Sequence, residues 1–458
     1  MKLKMPHTLA LLFLLMAAAL VATWIVPQGQ FETEITESGR EAVVAGTYEV
    51  SEEKELLNPL SLFTAVPRAF ADAQDIIFFL FIIGGVLAIM RRSGAIDALL
   101  GRLLERLGGK PGVMIFTIVF VFALGSSSIG AAGEYIPFVL ILVALCKAMR
   151  MDTMTAVGII VAGYGIGYGV AAFNPFTVVV AQGIAEIPTY SGWQLRIGLL
   201  IPFVLIGAHH VWSYSRRVRL DPSASLVFDI EPPKGGAPPD QYPPLNWGHV
   251  TILISFLLAL AVAVWGIAAR GWYLYELGAS FLILGLVTAI IARIGPSDSA
   301  KEFVSGASDL TETALLVGVA RGIALVMEDG QILHTIVHGL SVPLSTVGPE
   351  LAAVGMMVIQ SFLNFFIPSG SGQAFVTMPL MAPLGDLVGI TRQVSVLAYQ
   401  FGDGFSNILI PTNAVLMGIL GMAGVPYDRW FRFCLPLLLK LTAAAAVVLI
   451  MAVLFGLS

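Results

Sequence analysis

Seven runs of about 20 apolar residues, the length that crosses a bilayer as a helix, dominate this sequence of 458 residues. Only 12% of the residues are charged and 57% are hydrophobic, whereas soluble proteins carry roughly 25% charged residues. The sequence therefore predicts an all-α polytopic membrane protein. Its plain spans lie near 8–26, 74–92, 194–215, 248–270, 275–293, 309–327 and 433–456.

The charges around the first run predict the orientation of the chain. Lys2 and Lys4 precede it, and residues 31–55 carry eight glutamates but only Arg40 and Lys54 as basic residues. Because cytoplasmic segments are enriched in Lys and Arg, we expect a cytoplasmic N-terminus in a bacterial inner membrane and an external acidic loop. The first run could instead be a cleaved signal peptide, but its apolar stretch is longer than most signal-peptide cores. Gly and Val residues in the loop predict a small exposed β-hairpin.

Two further apolar stretches, 112–149 and 351–387, are interrupted midway by small and polar residues. The first interruption begins at Gly125 and reads GSSSIGAAGEYIP, and the second begins at Pro368 and reads PSGSGQAFVTMP. Each stretch is flanked on both sides by charge of one membrane face. We therefore expect two re-entrant helical hairpins, whose irregular tips must be buried in protein or line a watery cavity.

Each hairpin is followed by a second interrupted segment, so the chain predicts one structural unit used twice. Residues 153–187 contain GYGIGYG and then Asn174, whereas residues 392–423 contain GDGFSN and then Asn413. The number of crossings between the units gives them opposite orientations. Inverted repeats with broken helices at matching positions are typical of the binding sites of secondary transporters.

The resulting organisation has five parts. A first transmembrane helix with the acidic loop is followed by repeat 1, a Pro-rich cytoplasmic linker, scaffold helices and repeat 2. Their predicted bounds are 1–73, 74–215, 216–247, 248–308 and 309–458.

The broken segments supply the candidate substrate site. Half-helices that end near the midplane leave N–H groups and carbonyls outside the helix ladder, where they can hold an anion or a cation. Serine hydroxyls and asparagine amides add further donors and acceptors. The candidates are Ser126, Ser127, Ser128, Gly130, Glu134, Asn174, Pro175, Thr177, Ser369, Gly370, Ser371, Gly372, Gln373, Asp403, Ser406, Asn407, Thr412 and Asn413. For a coupling ion, Na+ or H+, we expect Ser127, Asn174, Ser369, Asp403 and Asn407.

Two acidic residues are the most informative of these candidates. Glu134 follows the first tip and Asp403 lies between two glycines, in segments that contain no Lys or Arg. An ionisable group at such depth is typical of a functional site. The alternative is an ion pair with a scaffold base such as Arg321. Glu186 and Asp386 lie nearer predicted helix ends, where a solvated face explains them equally well.

Other function classes find little support in the sequence. A net charge of −5 does not favour nucleic-acid binding. We find no nucleotide-binding loop, metalloprotease signature or serine-nucleophile elbow, so we expect no enzyme and no cofactor. His334 and His338 have the spacing of a metal pair, but an amphipathic interfacial helix is the better interpretation. The expected partners are membrane lipid and a small-molecule substrate.

Several motifs resemble those of the YfcC family across nearly the whole chain. That family is similar to the DcuC C4-dicarboxylate carriers within the ion transporter superfamily. The resemblance implies an elevator-type, commonly dimeric carrier, and some relatives are described as basic amino acid antiporters. One departure is Gly133, where the family usually has a first glutamate before the one at Glu134. The motifs are Trp24 to Pro27, Ile82 to Gly85, Asn174 to Phe176, Ala181-Gln182, Ser361 to Ala374, Met378 to Pro383, Tyr399 to Asn407 and Ile410 to Thr412.

Three functions stay open at this point. A basic amino acid antiporter or ion-coupled carrier would place Glu134 and Asp403 against the positive group of its substrate. A C4-dicarboxylate transporter coupled to Na+ or H+ would rely on serines, asparagines and helix dipoles. A non-transporting receptor or assembly factor would not need paired re-entrant tips.

Overall fold

The protein is described by a computed structural model that covers residues 8–35, 41–44, 47–51, 56–99, 102, 110–174, 176–188, 190–231, 243–270, 272 and 274–457. Helices account for most of these residues. In the first half they are α1 (Thr8–Ile25), α2 (Ser61–Asp72), α3 (Gln74–Arg92), α4 (Pro111–Ile129), α5 (Phe138–Ala148), α6 (Thr153–Gly169), α7 (Val178–Ile184) and α8 (Trp193–Leu220).

The second half ends in a series of helices whose order matches α4 to α8. A hairpin pair is followed by a fully packed helix, a short helix and a 28-residue helix, as in the first half. The helices are α9 (Trp247–Arg270), α10 (Leu274–Ile291), α11 (Pro296–Ser308), α12 (Thr311–Asp329), α13 (Leu333–Ser341), α14 (Pro349–Leu363), α15 (Gly370–Leu387), α16 (Arg392–Ser406), α17 (Ala414–Ala423) and α18 (Tyr427–Leu454).

α6 and α16 cross at the centre of the molecule. All residues of α6 except Tyr168, and all of α16 except Arg392, are buried. At the crossing, a Cβ atom on Gly404 would clash with backbone atoms of Tyr168 and Gly169. Only glycine permits this approach, so the backbones of α6 and α16 are in direct contact where the two matching units meet.

The first hairpin turns at Gly130, which takes a left-handed conformation with φ of 74°. The chain then passes through a 3-10 turn, Gly133–Tyr135, into α5. The Tyr135 hydroxyl donates to the carbonyl of Phe122 at 2.7 Å, and the two rings stack 4.4 Å apart. These contacts hold the returning chain against α4.

The second hairpin is held by a buried amide network between α14 and α15. Gln373 donates from Nε2 to the carbonyl and side-chain oxygens of Gln360, at 2.8 and 2.6 Å. Thr377 donates to the same Gln360 oxygen at 3.1 Å. Burial strengthens such hydrogen bonds, so this network fixes the register of the hairpin.

A second group of helices, α1 to α3 and α9 to α12, packs beside α4 to α8 (repeat 1 below) and α14 to α18 (repeat 2 below), and it is called the scaffold. It includes α3 and α12, which the predicted bounds place in the repeats. α3 and α11 touch at Gly84 and Gly306, where added Cβ atoms would clash with the opposing backbone. α17 packs against α12 and α3 and so joins the two groups. α8 packs against α4, α6 and α18.

The acidic loop, for which the sequence predicts a small β-hairpin, contains four short strands. β1 (Gly29–Gln30) pairs with β4 (Glu49–Val50), and β2 (Thr33–Ile35) pairs with β3 (Glu41–Val43), both antiparallel. Residues 36–40 lie outside the described residues.

α13 carries the two histidines, and this loop packs on it. His334 accepts a hydrogen bond at Nδ1 from the N–H of Phe31 at 3.1 Å. His338 stacks on Tyr48 at 4.2 Å. The histidines therefore bind the loop as packing partners.

Four of the described helices are long and apolar enough to cross a membrane, and α2 with α3 adds a fifth if this pair, bent by 55°, forms one span. The four lie in Pro111–Ser128, Trp193–Leu220, Leu274–Ile291 and Tyr427–Leu454. The expectation of seven plain spans is thus only partly met. The apolar parts of α1 and α9 are shorter, and α12 carries four charged residues.

Candidate functional site

A cavity of about 590 Å³ opens between the two hairpin tips and the breaks after α6 and α16. Both repeats and the scaffold contribute to its wall. The lining residues are Gly130, Ala132, Gly133, Glu134, Tyr164, Tyr168, Phe176, Thr177, Trp272, Leu274, Pro368, Ser369, Gly370, Ser371, Asn407, Asn413, Ala414 and Val415.

Eight of the sequence-predicted site residues line this cavity. They are Gly130, Glu134, Thr177, Ser369, Gly370, Ser371, Asn407 and Asn413. Nine others do not line it, and Pro175 lies outside the described residues. These nine are Ser126, Ser127, Ser128, Asn174, Gly372, Gln373, Asp403, Ser406 and Thr412.

In repeat 1 the hidden polar residues bind the hairpin tip to the broken helix. Asn174 donates from Nδ2 to the carbonyl of Ser126 at 3.1 Å. The N–H of Ala172 donates to the Ser127 hydroxyl at 3.0 Å, and the N–H of Phe173 donates to the Ser127 carbonyl at 2.9 Å. Ser128 donates back into its own helix. These side chains therefore hold the tip against the broken helix and do not line the cavity themselves.

Repeat 2 uses asparagines for the same purpose. Asn364 donates to the carbonyl of Asp403 at 2.9 Å and to the hydroxyl of Ser406 at 2.8 Å. Asn413 donates at 2.6 Å to Asn407, which donates at 2.9 Å to the carbonyl of Asp403. Thr412 donates to the carbonyl of Phe365 in the hairpin, and Gly372 donates its N–H to Ser369. Backbone carbonyls at the break after α16 therefore accept hydrogen bonds both from the hairpin and from the segment that follows the break.

Glu134 carries the only charged side chain among the described lining residues of the cavity. It lies in the 3-10 turn after the first tip, where its Oε2 accepts a hydrogen bond from the N–H of Ala132 at 2.7 Å. Neighbours at Ala132 and Gly133 are small, and Leu274 faces them from the scaffold. The carboxylate therefore faces an open and otherwise uncharged space.

Two helix N-termini reach the same cavity. Ser369 caps α15 by accepting the N–H of Gly372, and Asn413 caps α17 by accepting the N–H of Leu416. The first residues of both helices line the wall. Because uncapped N–H groups and the helix dipole favour anions at an N-terminus, this part of the cavity suits a carboxylate.

Asp403 lies behind the cavity wall, under the tip residue Gly370. Its side chain is buried, with 1% of the residue exposed. Oδ1 accepts from Asn407 at 3.3 Å, whereas Oδ2 has no hydrogen-bond partner among the described residues. Of the two acids named from the sequence, Glu134 therefore lines the cavity and Asp403 is buried behind its wall.

The scaffold base Arg321 binds neither of these acids. It contacts Asp72 on α2 and, at 3.2 Å, Glu328 on its own helix. Arg392 pairs with Glu186 at 2.8 Å and Asp386 at 2.9 Å. The expected alternative of an ion pair to Arg321 is therefore wrong for Glu134 and Asp403, and the other two acids form partly exposed pairs.

Sequence reasoning missed part of the cavity wall and one buried base. Tyr164 and Tyr168 line the wall and stand within the glycine-rich run of α6, which is a signal that could have identified them. Trp272 also lines it, but nothing in the local pattern distinguishes it. Arg196 is 1% exposed and binds Gln400 at 2.7 Å.

Comparison with known proteins gives the same general result along the whole chain. The profile of the DcuC family, described as C4-dicarboxylate anaerobic carrier, matches residues 5–454. The chain is 33% identical to a protein of Escherichia coli (strain K12) named "Putative basic amino acid antiporter YfcC", over 99% of this chain and 97% of that one.

Two solved transporter structures are also similar. The Alcanivorax borkumensis YdaH transporter aligns with a TM-score of 0.44 and 16% identity, covering 99% of each chain. Neisseria gonorrhoeae MtrF aligns with a TM-score of 0.42 and 18% identity, covering 98% of this chain and 95% of that one. The family profile and the relative confirm the resemblance drawn from the motifs, and the protein is a multi-pass membrane transporter that belongs to the DcuC family.

Proposed function

We propose that this protein is a secondary active transporter that moves an amino acid bearing a positive group, most simply a basic amino acid by antiport. Transport follows an elevator mechanism, in which the hairpins and broken helices move against the scaffold. The protein acts as a homodimer in the bacterial inner membrane, with its N-terminus in the cytoplasm.

One observation supports the substrate class above all others: the cavity offers a single carboxylate and no basic side chain among its described lining residues. Glu134 can pair with an ammonium or guanidinium group, since burial strengthens charge-assisted hydrogen bonds. The N-termini of α15 and α17 lie in the same cavity and can hold the α-carboxylate. An amino acid carries both of these charges.

The experiment is counterflow into proteoliposomes with arginine, ornithine, neutral amino acids, succinate and fumarate. Glu134→Gln should weaken binding of a cationic amino acid by about 2–5 kcal/mol, the range for truncating one member of a buried charge pair. Glu186→Gln is the matched control, because Glu186 is 77% exposed and pairs with Arg392 outside the cavity. Equal affinity of both variants for arginine would sink the proposal.

A C4-dicarboxylate is the second candidate substrate, and the two helix N-termini in the cavity favour it. Each could hold one carboxylate without a basic side chain. Exchange of succinate but neither basic amino acid by the parent protein would establish this alternative. If the parent protein exchanges none of these solutes, neither substrate proposal stands.

A further inference from the structure

We propose that a second cavity, where α5 and α8 end and α6 begins, binds the phosphate headgroup of an anionic phospholipid through Lys147, Arg150 and Arg219. This cavity shares no lining residue with the one between the hairpin tips. The inference therefore concerns a separate site and does not depend on which solute the protein carries.

The second cavity combines basic and apolar groups in one wall. Its volume is about 440 Å³, and the segment 221–230 that follows α8 forms part of the wall. A ligand that uses the whole wall carries both a negative group and an apolar body. The lining residues are Lys147, Arg150, Met151, Asp152, Thr153, Val218, Arg219, Pro222, Ser225, Val227, Phe228 and Ile230.

The length of α8 places this cavity at the level of the lipid headgroups. The helix has 28 residues, about 42 Å at 1.5 Å per residue, whereas the hydrocarbon core is about 30 Å thick. Its last turn carries Arg217 and Arg219, so this charged end extends beyond the core. Phe228 lines the cavity and is nevertheless 66% exposed, as expected of an aromatic side chain in contact with lipid at the interface.

The three basic side chains of the cavity have free hydrogen-bond donors. Lys147, Arg150 and Arg219 are exposed, and none of them forms an ion pair or a side-chain hydrogen bond with another residue in the described part of the chain. By contrast, Arg429, at the start of the neighbouring α18, pairs with Asp229 at 2.9 Å. The donors of the cavity are thus available to an external anion.

Asp152 is the acid in this wall, and its oxygen atoms are already bound. Oδ1 accepts from the N–H and the hydroxyl of Thr155 at 2.9 and 2.7 Å. Oδ2 accepts from the hydroxyls of Tyr214 at 2.5 Å and Ser225 at 2.6 Å. The Leu226 N–H donates to the same Tyr214 hydroxyl at 2.9 Å. Asp152 therefore holds the segment after α8 against α6 and α8, and the wall keeps a positive net charge.

Arg150 occupies a backbone position that normally belongs to glycine. The N–H of Met151 donates to the Cys146 carbonyl at 2.8 Å, and the N–H of Arg150 donates to the Lys147 carbonyl at 3.0 Å. This is the hydrogen-bond pattern of a helix end whose left-handed residue is usually glycine, and Arg150 has a φ of 60°. Glycine would avoid the steric cost of that conformation. A role of the guanidinium group in the cavity accounts for an arginine there.

The donor set favours phosphate, and the apolar wall favours a lipid as its source. A guanidinium group matches two phosphate oxygens at once, and an ammonium group adds a point charge. Basic pockets between membrane helices at headgroup level suit anionic headgroups. A free phosphate would leave Val218, Val227 and Phe228 unused, whereas the glycerol and upper acyl chain of a lipid can cover them.

The test measures lipid binding without any transported solute. The purified full-length protein in a neutral detergent is titrated with phosphatidylglycerol or phosphatidylcholine, and bound lipid is counted by native mass spectrometry. Phosphatidylglycerol should bind in preference and raise the melting temperature, because a ligand of the folded state stabilises it. The double variant Arg150→Gly, Arg219→Gln should weaken the apparent affinity for phosphatidylglycerol at least about tenfold.

A matched double variant separates this site from general surface charge. Arg216→Gln with Arg217→Gln removes the same charge from the same end of α8, outside the cavity. It should retain phosphatidylglycerol binding, although all of these arginines also favour the dipoles of the helices that they follow or end. Arg150→Gly alone should reduce lipid binding without lowering the melting temperature in phosphatidylcholine, because glycine fits the left-handed position.

A second pair of variants tests the apolar part of the wall. Phe228→Ser should weaken the binding of phosphatidylglycerol. Leu220→Ser should not, because Leu220 is similarly exposed, at 79%, but does not line the cavity. Inorganic phosphate and glycerol 3-phosphate should neither raise the melting temperature as phosphatidylglycerol does nor displace it at equal concentration.

Three outcomes overturn the inference. Equal binding of phosphatidylcholine would show that the headgroup charge is not recognised. Equal loss of phosphatidylglycerol in the two double variants would show attraction to the whole basic surface. Stabilisation by inorganic phosphate or glycerol 3-phosphate that equals the lipid effect and is lost in Arg150→Gly, Arg219→Gln would assign the cavity to a soluble anion.

Discussion

The hydroxyl of Tyr399 donates a 2.5 Å hydrogen bond to the carbonyl oxygen of Gly370 at the tip of the second hairpin. Repeat 1 has a corresponding contact, in which the Tyr168 hydroxyl donates to the Gly130 carbonyl at 2.6 Å. In both cases a tyrosine on one of the two crossing helices, α6 or α16, donates to a glycine carbonyl at the tip of the neighbouring hairpin. The two tips are therefore fastened by the same chemistry.

Removal of each tyrosine hydroxyl should loosen one tip and spare the other. Tyr399→Phe loses one buried hydrogen bond, about 0.5–1.5 kcal/mol, so backbone hydrogen exchange should rise around Gly370. Tyr168→Phe should raise it around Gly130. Each variant is the control for the other, and a rise at both tips in either variant would show that the bonds do not act locally.

The helix crossing at Gly404 should tolerate no larger residue. Gly404→Ala forces a Cβ into the backbone of Tyr168 and Gly169, and overpacking of this kind costs about 1–3 kcal/mol. Thermal unfolding followed by tryptophan fluorescence should show a lower midpoint. Gly198→Ala on α8, whose Cβ would meet no atom within 4 Å, should not lower it. Equal unfolding midpoints for the two variants would mean that α6 and α16 can move apart to accommodate the added methyl group without loss of stability.

Arg196 should stabilise the contact between α8 and α16 through its planar group. Arg196→Met leaves oxygens of Gln400 and Gln393 without their donor, at about 1–3 kcal/mol for each unsatisfied group. Arg196→Lys keeps the charge but lacks the fork of donors, so it should restore only part of the loss. A double-mutant cycle with Gln400→Leu measures the coupling. Additive effects, within about 0.5 kcal/mol, would show that the contact contributes nothing.

Elevator movement predicts that a bond between α17 and α3 stops transport. A Cβ on Gly418 would lie 3.7 Å from Leu80 on α3, so cysteines at these two positions can be joined by a short bis-maleimide. The background must lack Cys146 and Cys434, the two free cysteines. The crosslinked double-cysteine variant should lose counterflow, whereas either single-cysteine variant treated with the same reagent should retain it. Undiminished counterflow after complete joining contradicts rigid movement of the repeats.

Sequence was most informative where backbone chemistry decides the structure. The turn at Gly130, the N-cap at Asn413 and the break near Pro368 fall within interruptions that composition marks plainly. A left-handed backbone conformation favours glycine and an N-cap position favours Asn, and both preferences can be read from the local sequence alone. The paired interruptions therefore identified most of the segments that surround the cavity.

Tertiary contacts decided what the sequence could not. Asp403 was recognised as buried, but the rotation of α16 that turns it away from the cavity depends on packing against α14 and α6. Trp272 reaches the cavity from the scaffold, at a distance in sequence that no local pattern bridges. Arg196 stands at the start of an apolar run, where a solvated position would be ordinary, and only its bonds to α16 bury it.

The central crossing has a consequence for how the protein is made. α6 is synthesised long before α16, yet in the finished protein every residue of α6 except Tyr168 is covered. Until the second half of the chain is inserted, the glycine face at Gly165 and Gly169 has no protein neighbour to replace Gly404, Phe405 and Ile408. The first half of the chain therefore cannot complete the packing of its central helix until α16 has been synthesised and inserted beside it.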